Sequence, residues 1–224
     1  MTQGLGASAN PLIRWDWVRS QRDQIEEAFL QHLELTFSAV FYGLLISIAL
    51  AALALRYRWT LTPVTAFTGF LYTIPSVALF GILVPYTGLT SRTAIIALTS
   101  YTLLILVTNI VAGFRSIPAA TLEAANGMGL TRRRRILTVE LPLAMPYIIT
   151  GLRIATVTTV GLVTVAAIIG QGGLGRLILD GLQRAFWTPM MVGAALSVLL
   201  ALALDLILFG IGWFATPWAR RARV

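Results

Sequence analysis

Five stretches of this chain are apolar almost without interruption: residues 33–55, 63–84, 93–114, 143–169 and 189–214. Each meets the roughly 20 residues a helix needs to cross a hydrocarbon core about 30 Å thick. One longer polar loop, residues 115–142, separates the third run from the fourth. The pattern predicts an all-α integral membrane protein of five transmembrane helices. Residues 1–32 read as an external arm, residues 33–218 as the spanning domain and residues 219–224 as a basic tail. Within the arm, Trp15-Asp16-Trp17 and the amphipathic residues 18–29 fit an interfacial helix with its indoles at headgroup level. Docking to a partner is the alternative use of that arm. It lacks the charged start, apolar core and small-residue cleavage site of a signal peptide.

Composition agrees with a bilayer as solvent: 57% of residues are hydrophobic and mean hydropathy is +0.81. The net charge of +8 comes from seventeen arginines and no lysine. Their distribution reads as membrane topology rather than nucleic-acid binding. With the N-terminus outside, the inner segments hold eleven arginines against Glu123 and Glu140, while the outer segments hold six against six acids. The excess of positive charge inside therefore predicts N-out, C-in. Without lysine no Walker A loop can hold ATP. Without cysteine and with one histidine, His32, neither thiolate chemistry nor an intramembrane nucleophile–base pair is available, which disfavours an intramembrane enzyme.

The polar loop carries its own short helix. Ser116 and Pro118 suit a helix start, and Gly127 and Gly129 a stop. Ala119, Ala120, Ala124 and Ala125 leave its faces with little bulk, so another protein can approach closely. Glu123 is free to pair with that protein or with Arg132–Arg135, a run whose ordinary role is to mark the inner face at anionic headgroups. Glu123-Ala124-Ala125, Gly129, Val139 and Leu141-Pro142 stand at the spacing of the EAA loop of ABC-importer permeases, with Val139 in place of isoleucine. The chain resembles that family from about residue 31 to 218. Residues 74–81 (IPSVALFG) and 169–175 (IGQGGLG) are similar to the glycine betaine, choline and carnitine branch. A methionine or other amino-acid importer of the same fold is the alternative cargo reading, and a non-transporting helical scaffold is the blandest.

The resemblance implies two ATP-binding subunits, a second permease copy or homologue, and an external substrate-binding protein. It also implies that ATP and Mg belong to the partner ATPase, that this chain binds no cofactor or metal, and that Glu123, Ala124, Ala125, Gly129, Leu141 and Pro142 couple it to that ATPase. Outside, Gly170, Gly172, Gly173 and Gly175 form a turn that the resemblance places at the outer gate.

In the second run Thr73, Pro75 and Ser76 predict a kink beside small polar groups, as in a pathway wall. Tyr72, Phe80 and Tyr101 offer aromatic faces to a quaternary ammonium, although packing is the usual role of any one ring. Asn109 joins these pathway candidates, with bonding to a neighbouring helix as its commoner role. Arg153 and Asp205 lie inside spans, where an isolated charge costs a few kcal/mol. Their similar heights on sequential antiparallel helices predict an ion pair.

Overall fold

The computed structural model describes residues 13–218, so the start of the arm and the basic tail 219–224 lie outside the described residues. Helices account for all regular structure among the described residues: α1 (Trp15–Ser20), α2 (Arg22–Arg56), α3 (Leu61–Thr73), α4 (Ser76–Thr87), α5 (Ser91–Arg115), α6 (Ala119–Gly127), α7 (Arg132–Arg135), α8 (Leu141–Val165), α9 (Leu174–Gln183) and α10 (Trp187–Ala215).

Two boundaries differ from those expected. The interfacial stretch is no separate helix beyond α1, because α2 runs unbroken for 35 residues from Arg22 through the first apolar run. No proline interrupts that stretch, and its only glycine is Gly43, so nothing stops the helix at the interface. The polar loop is also shorter than 115–142, since Arg132–Ile169 forms one helical run. Pro142 has no N–H for the carbonyl four residues back. A wide turn over Ile136–Glu140, in which the Leu141 N–H reaches the Ile136 carbonyl, absorbs the irregularity.

The second apolar run departs furthest from a straight span. It forms two helices, α3 and α4, which meet at 94°, so the chain has four helices long and apolar enough to cross a membrane, or five if the bent pair counts as one. Pro75 cannot donate, and the Ile74 N–H takes the Leu71 carbonyl at 3.4 Å instead. The Ile74 carbonyl accepts from the Tyr101 hydroxyl at 2.6 Å. Tyr101 thus fixes a sharp corner where proline alone implies a kink.

α5 is the most buried of the long helices and α10 the least. One core cluster joins Leu35, Phe80, Leu98, Tyr101 and Val163, and a second joins Ala51, Val64, Val107 and Ile110. Glycines set the closest crossings. A Cβ on Gly151 of α8 would stand 2.5 Å from the Asn109 Cβ of α5, whereas one on Gly161 would meet nothing within 4 Å. Gly151→Ala is therefore expected to cost about 1–3 kcal/mol by overpacking. Gly161→Ala should be neutral or stabilising by up to about 1 kcal/mol, as alanine favours a helix over glycine. Thermal midpoints of the two purified variants check the contrast.

Candidate functional site

α6 stands off the end of the bundle that also carries the arginine run. Ser116 does not cap it: its hydroxyl donates back to the Gly113 carbonyl and closes α5, while Pro118 takes the N-cap position. The far end is a Schellman close. The Gly129 N–H donates to Asn126 O at 2.9 Å and the Leu130 N–H to Ala125 O at 3.3 Å, with Gly129 at φ +72°. Gly129 is the residue that turns the chain, and Gly127 lies in the last helical turn.

Ala125 is buried, while Ala119, Ala120, Glu123 and Ala124 are exposed. Of the two pairings open to Glu123, the one with the arginine run is absent among the described residues. Arg135 is engaged elsewhere, with its Nε donating to Glu140 at 2.7 Å and its Nη1 to the Asn126 side chain. That bridge ties the end of α6 to the wide turn before α8 and leaves the Glu123 carboxylate facing outward. Leu141 and Pro142, both half-buried, open α8 just beyond this turn.

The polar groups of the bent segment fall into two sets. Tyr72, Thr73 and Pro75 are exposed and Ser76 half-buried on the corner between α3 and α4. Phe80 and Tyr101 are buried instead, at 1% and 4% exposure. Phe80 packs in the core, and Tyr101 holds the corner while making an edge contact with Tyr72 at 6.0 Å. The Asn109 amide donates to Ile105 O of its own helix at 2.8 Å rather than across to another helix.

Midway along α8, Arg153 meets Asp205 of α10 in a two-pronged ion pair, with Nε to Oδ1 at 2.8 Å and Nη2 to Oδ2 at 2.7 Å. This fork geometry is the strongest an arginine and a carboxylate can make. The guanidinium also lies over the Phe209 ring at 5.1 Å, a contact no periodicity announced.

At the opposite end of the bundle from α6, the glycine-rich turn is packed rather than loose. Gly172, Gly173 and Gly175 are buried, and a Cβ on Gly175 would stand 2.3 Å from the Thr164 carbonyl. α9 follows with Leu174, Leu177 and Gly181 buried and Arg176 and Arg184 exposed, so only one of its faces is free. The side chains that sequence reasoning missed here are Gln31, Ser91 and Gln171, the first two each donating a hydrogen bond to the Gln171 carboxamide oxygen. Their only signal was polarity beside the glycines.

A bundle of long apolar helices with an ion pair inside its span and a small-residue helix presented at one end defines a multi-pass membrane protein. Residues 43–220 match the family model described as "Binding-protein-dependent transport system inner membrane component", and the chain belongs to that family. It is similar to the osmoprotectant import permease protein OsmW of Salmonella typhimurium, with 38% identity covering 84% of this chain and 89% of the relative. It is also similar to the glycine betaine/carnitine/choline transport system permease protein OpuCD of Bacillus subtilis, at 34% identity over 84% and 81%. Among solved structures, a chain of the MetNI methionine ABC transporter in an inward-facing conformation shares the fold with TM-score 0.74. Its identity is 22%, covering 88% of this chain and 98% of that one. The protein is accordingly an inner-membrane component of a binding-protein-dependent transport system.

Proposed function

We propose that this chain is the permease subunit of an ATP-driven importer for small quaternary-amine osmoprotectants such as glycine betaine, choline or carnitine. The observation that carries the cargo is its similarity, over most of its length, to permeases named for those compounds. In this reading the chain lies N-out and C-in, with the bent α3–α4 pair as the second of five spans. Two ATP-binding subunits, holding ATP and Mg, grip α6 of this chain and of a second permease, identical or homologous. Glu123 and Ala124 form the gripped surface, buried Ala125 and the turn at Gly129 shape α6 behind it, and Leu141 and Pro142 pass its motion into α8. The chain carries out no hydrolysis.

An external binding protein delivers cargo to the end bearing the glycine-rich turn. The exposed corner at Tyr72, Thr73, Pro75 and Ser76 offers aromatic and hydroxyl groups to a cation that cannot donate hydrogen bonds. Tyr101 supports that wall from behind and packs in one core cluster with Phe80, while Asn109 stands further along α5 against Gly151 of α8.

The test is uptake of labelled glycine betaine, choline, carnitine and methionine by cells stripped of their own systems for these compounds and expressing the whole transporter. Uptake of at least one quaternary amine and none of methionine is expected. Methionine uptake alone would transfer the chain to the amino-acid alternative.

A further inference from the structure

The turn at residues 170–173 has three glycines and one side chain with reach, Gln171. Gly170 and Gly173 adopt left-handed conformations at φ +77° and +50°, and a Cβ on Gly173 would stand 2.7 Å from the His32 backbone nitrogen. The turn is thus pressed against α2 and carries Gln171 in a fixed place. The Gln171 Oε1 accepts from Ser91 Oγ at 2.9 Å and from Gln31 Nε2 at 3.3 Å, and its Nε2 donates to the Leu89 carbonyl at 3.3 Å. Gln31 Oε1 accepts from the Gly173 N–H at 3.1 Å, which fixes that amide and turns its Nε2 toward Gln171. One carboxamide therefore ties α2, the turn before α9 and the turn between α4 and α5.

The third tied segment follows α4, which Leu79 and Phe80 pack into the core and whose far end Thr93 also holds, its hydroxyl donating to the Gly88 carbonyl. α4 is bounded by the 94° corner at Pro75 and by Gly88, whose φ is +72°. Leu89 and Ser91 lie just past that glycine, so the clasp holds the end of α4 remote from the corner. Gln31, Ser91 and Gln171 are only half-buried. Bonds between such amides and hydroxyls exchange with water at little net cost, which suits a contact that opens and closes better than a permanent joint.

We propose that Gln171 is a positioning residue of the external gate: the Gln31–Gln171–Ser91 clasp holds the gate shut and releases Leu89 and Ser91 when it opens. The proposal rests on the importer reading and its N-out orientation. The chain has no cysteine, so Leu89→Cys and Leu182→Cys, both at exposed side chains, accept spin labels with no background from this chain when it is labelled before assembly with the ATPase. Distances are read by electron–electron resonance in the complex with its ATPase in lipid nanodiscs, nucleotide-free and vanadate-trapped, beside ATP hydrolysis without cargo and cellular uptake.

The unsubstituted clasp should give one narrow nucleotide-free distance and a shifted one when trapped. Gln171→Ala should populate the trapped distance without nucleotide and raise cargo-free hydrolysis about threefold or more, the scale of losing one or two such bonds from a two-state balance. Gln171→Glu keeps the acceptors and loses the donor to Leu89, so it should fall between. Gln31→Ala and Ser91→Ala carry the same test should Gln171→Ala fail to assemble. Unchanged distances and hydrolysis in all three alanine variants would overturn the clasp, as would an unsubstituted pair whose distance does not move on trapping. Distances that switch as described in a complex that imports no quaternary amine would support the clasp and sink the cargo assignment instead.

Discussion

Asp205→Ala is expected to destabilise the protein by about 2.5–3.5 kcal/mol, the cost of an ionised group near the centre of a membrane helix. Its steady-state amount in the membrane should fall with it. The loss comes from the partner left behind. Arg153 stands midway along a 25-residue apolar helix, and its guanidinium has Asp205 as its only anionic partner among the described residues. About a third of each side chain is uncovered, at 31% and 30%, so the pair sits on a flank of the bundle. Without the carboxylate, the arginine must draw in water or pull α8 toward the interface.

Removing both charges is a different perturbation, because replacing a paired set by apolar residues of similar volume is often neutral or stabilising. Arg153→Met with Asp205→Leu should therefore lie within about 1 kcal/mol of the unsubstituted protein. Arg153→Lys should fall between, since an ammonium makes no fork with both carboxylate oxygens and gives up the planar stack on Phe209. Thermal midpoints of the purified proteins, together with their amounts in membranes, measure the series. An Asp205→Ala protein as stable as the unsubstituted one would show that the pair contributes nothing to holding α8 against α10.

What could be read in advance divides along a physical line. Apolar runs announce helices because the bilayer leaves the backbone no other way to satisfy its hydrogen bonds. The Arg153–Asp205 pairing could be anticipated because a charge inside such a run needs a partner and few were available. Gly129 could be assigned as a stop because a left-handed residue is the usual helix terminator. Other features depend on groups far apart in sequence. The corner at Pro75 is as sharp as 94° with the hydroxyl of Tyr101, 27 positions away, on the Ile74 carbonyl. Tyr101 and Phe80 look like pathway rings in a list of aromatics, and burial separates them from Tyr72. Ser116 before Pro118 resembles a cap, yet the preceding helix claims its hydroxyl. Gln171 showed only its polarity beside the glycines, since its three partners come from two segments remote in sequence.

The second large effect belongs to α6. Glu123→Arg should leave folding intact and lower recovery of the ATPase with this chain by about tenfold or more, the scale of losing one or two strong contacts from an interface. Folding should survive because Glu123 is exposed and makes no ion pair among the described residues, so no internal contact is lost. The substitution adds a fifth arginine beside Arg132–Arg135 and replaces the one carboxylate that α6 presents.

If α6 docks as proposed, a helix of alanines has little shape to specify its partner, so its single charge carries much of the discrimination. Glu123→Gln separates charge from size: it should lose part of the recovery and keep the surface. Gly129→Val provides the complementary test, because a β-branched residue at φ +72° is strained and the close of α6 should loosen without any change to the presented face. Mass-spectrometric quantification of proteins retained with the tagged chain from its native membrane, beside cargo uptake, reads all three. Equal recovery of the ATPase with Glu123→Arg and with the unsubstituted chain would mean that α6 is not the gripped surface. The grip would then have to be sought elsewhere on that end, at the wide turn where Arg135 and Glu140 pair.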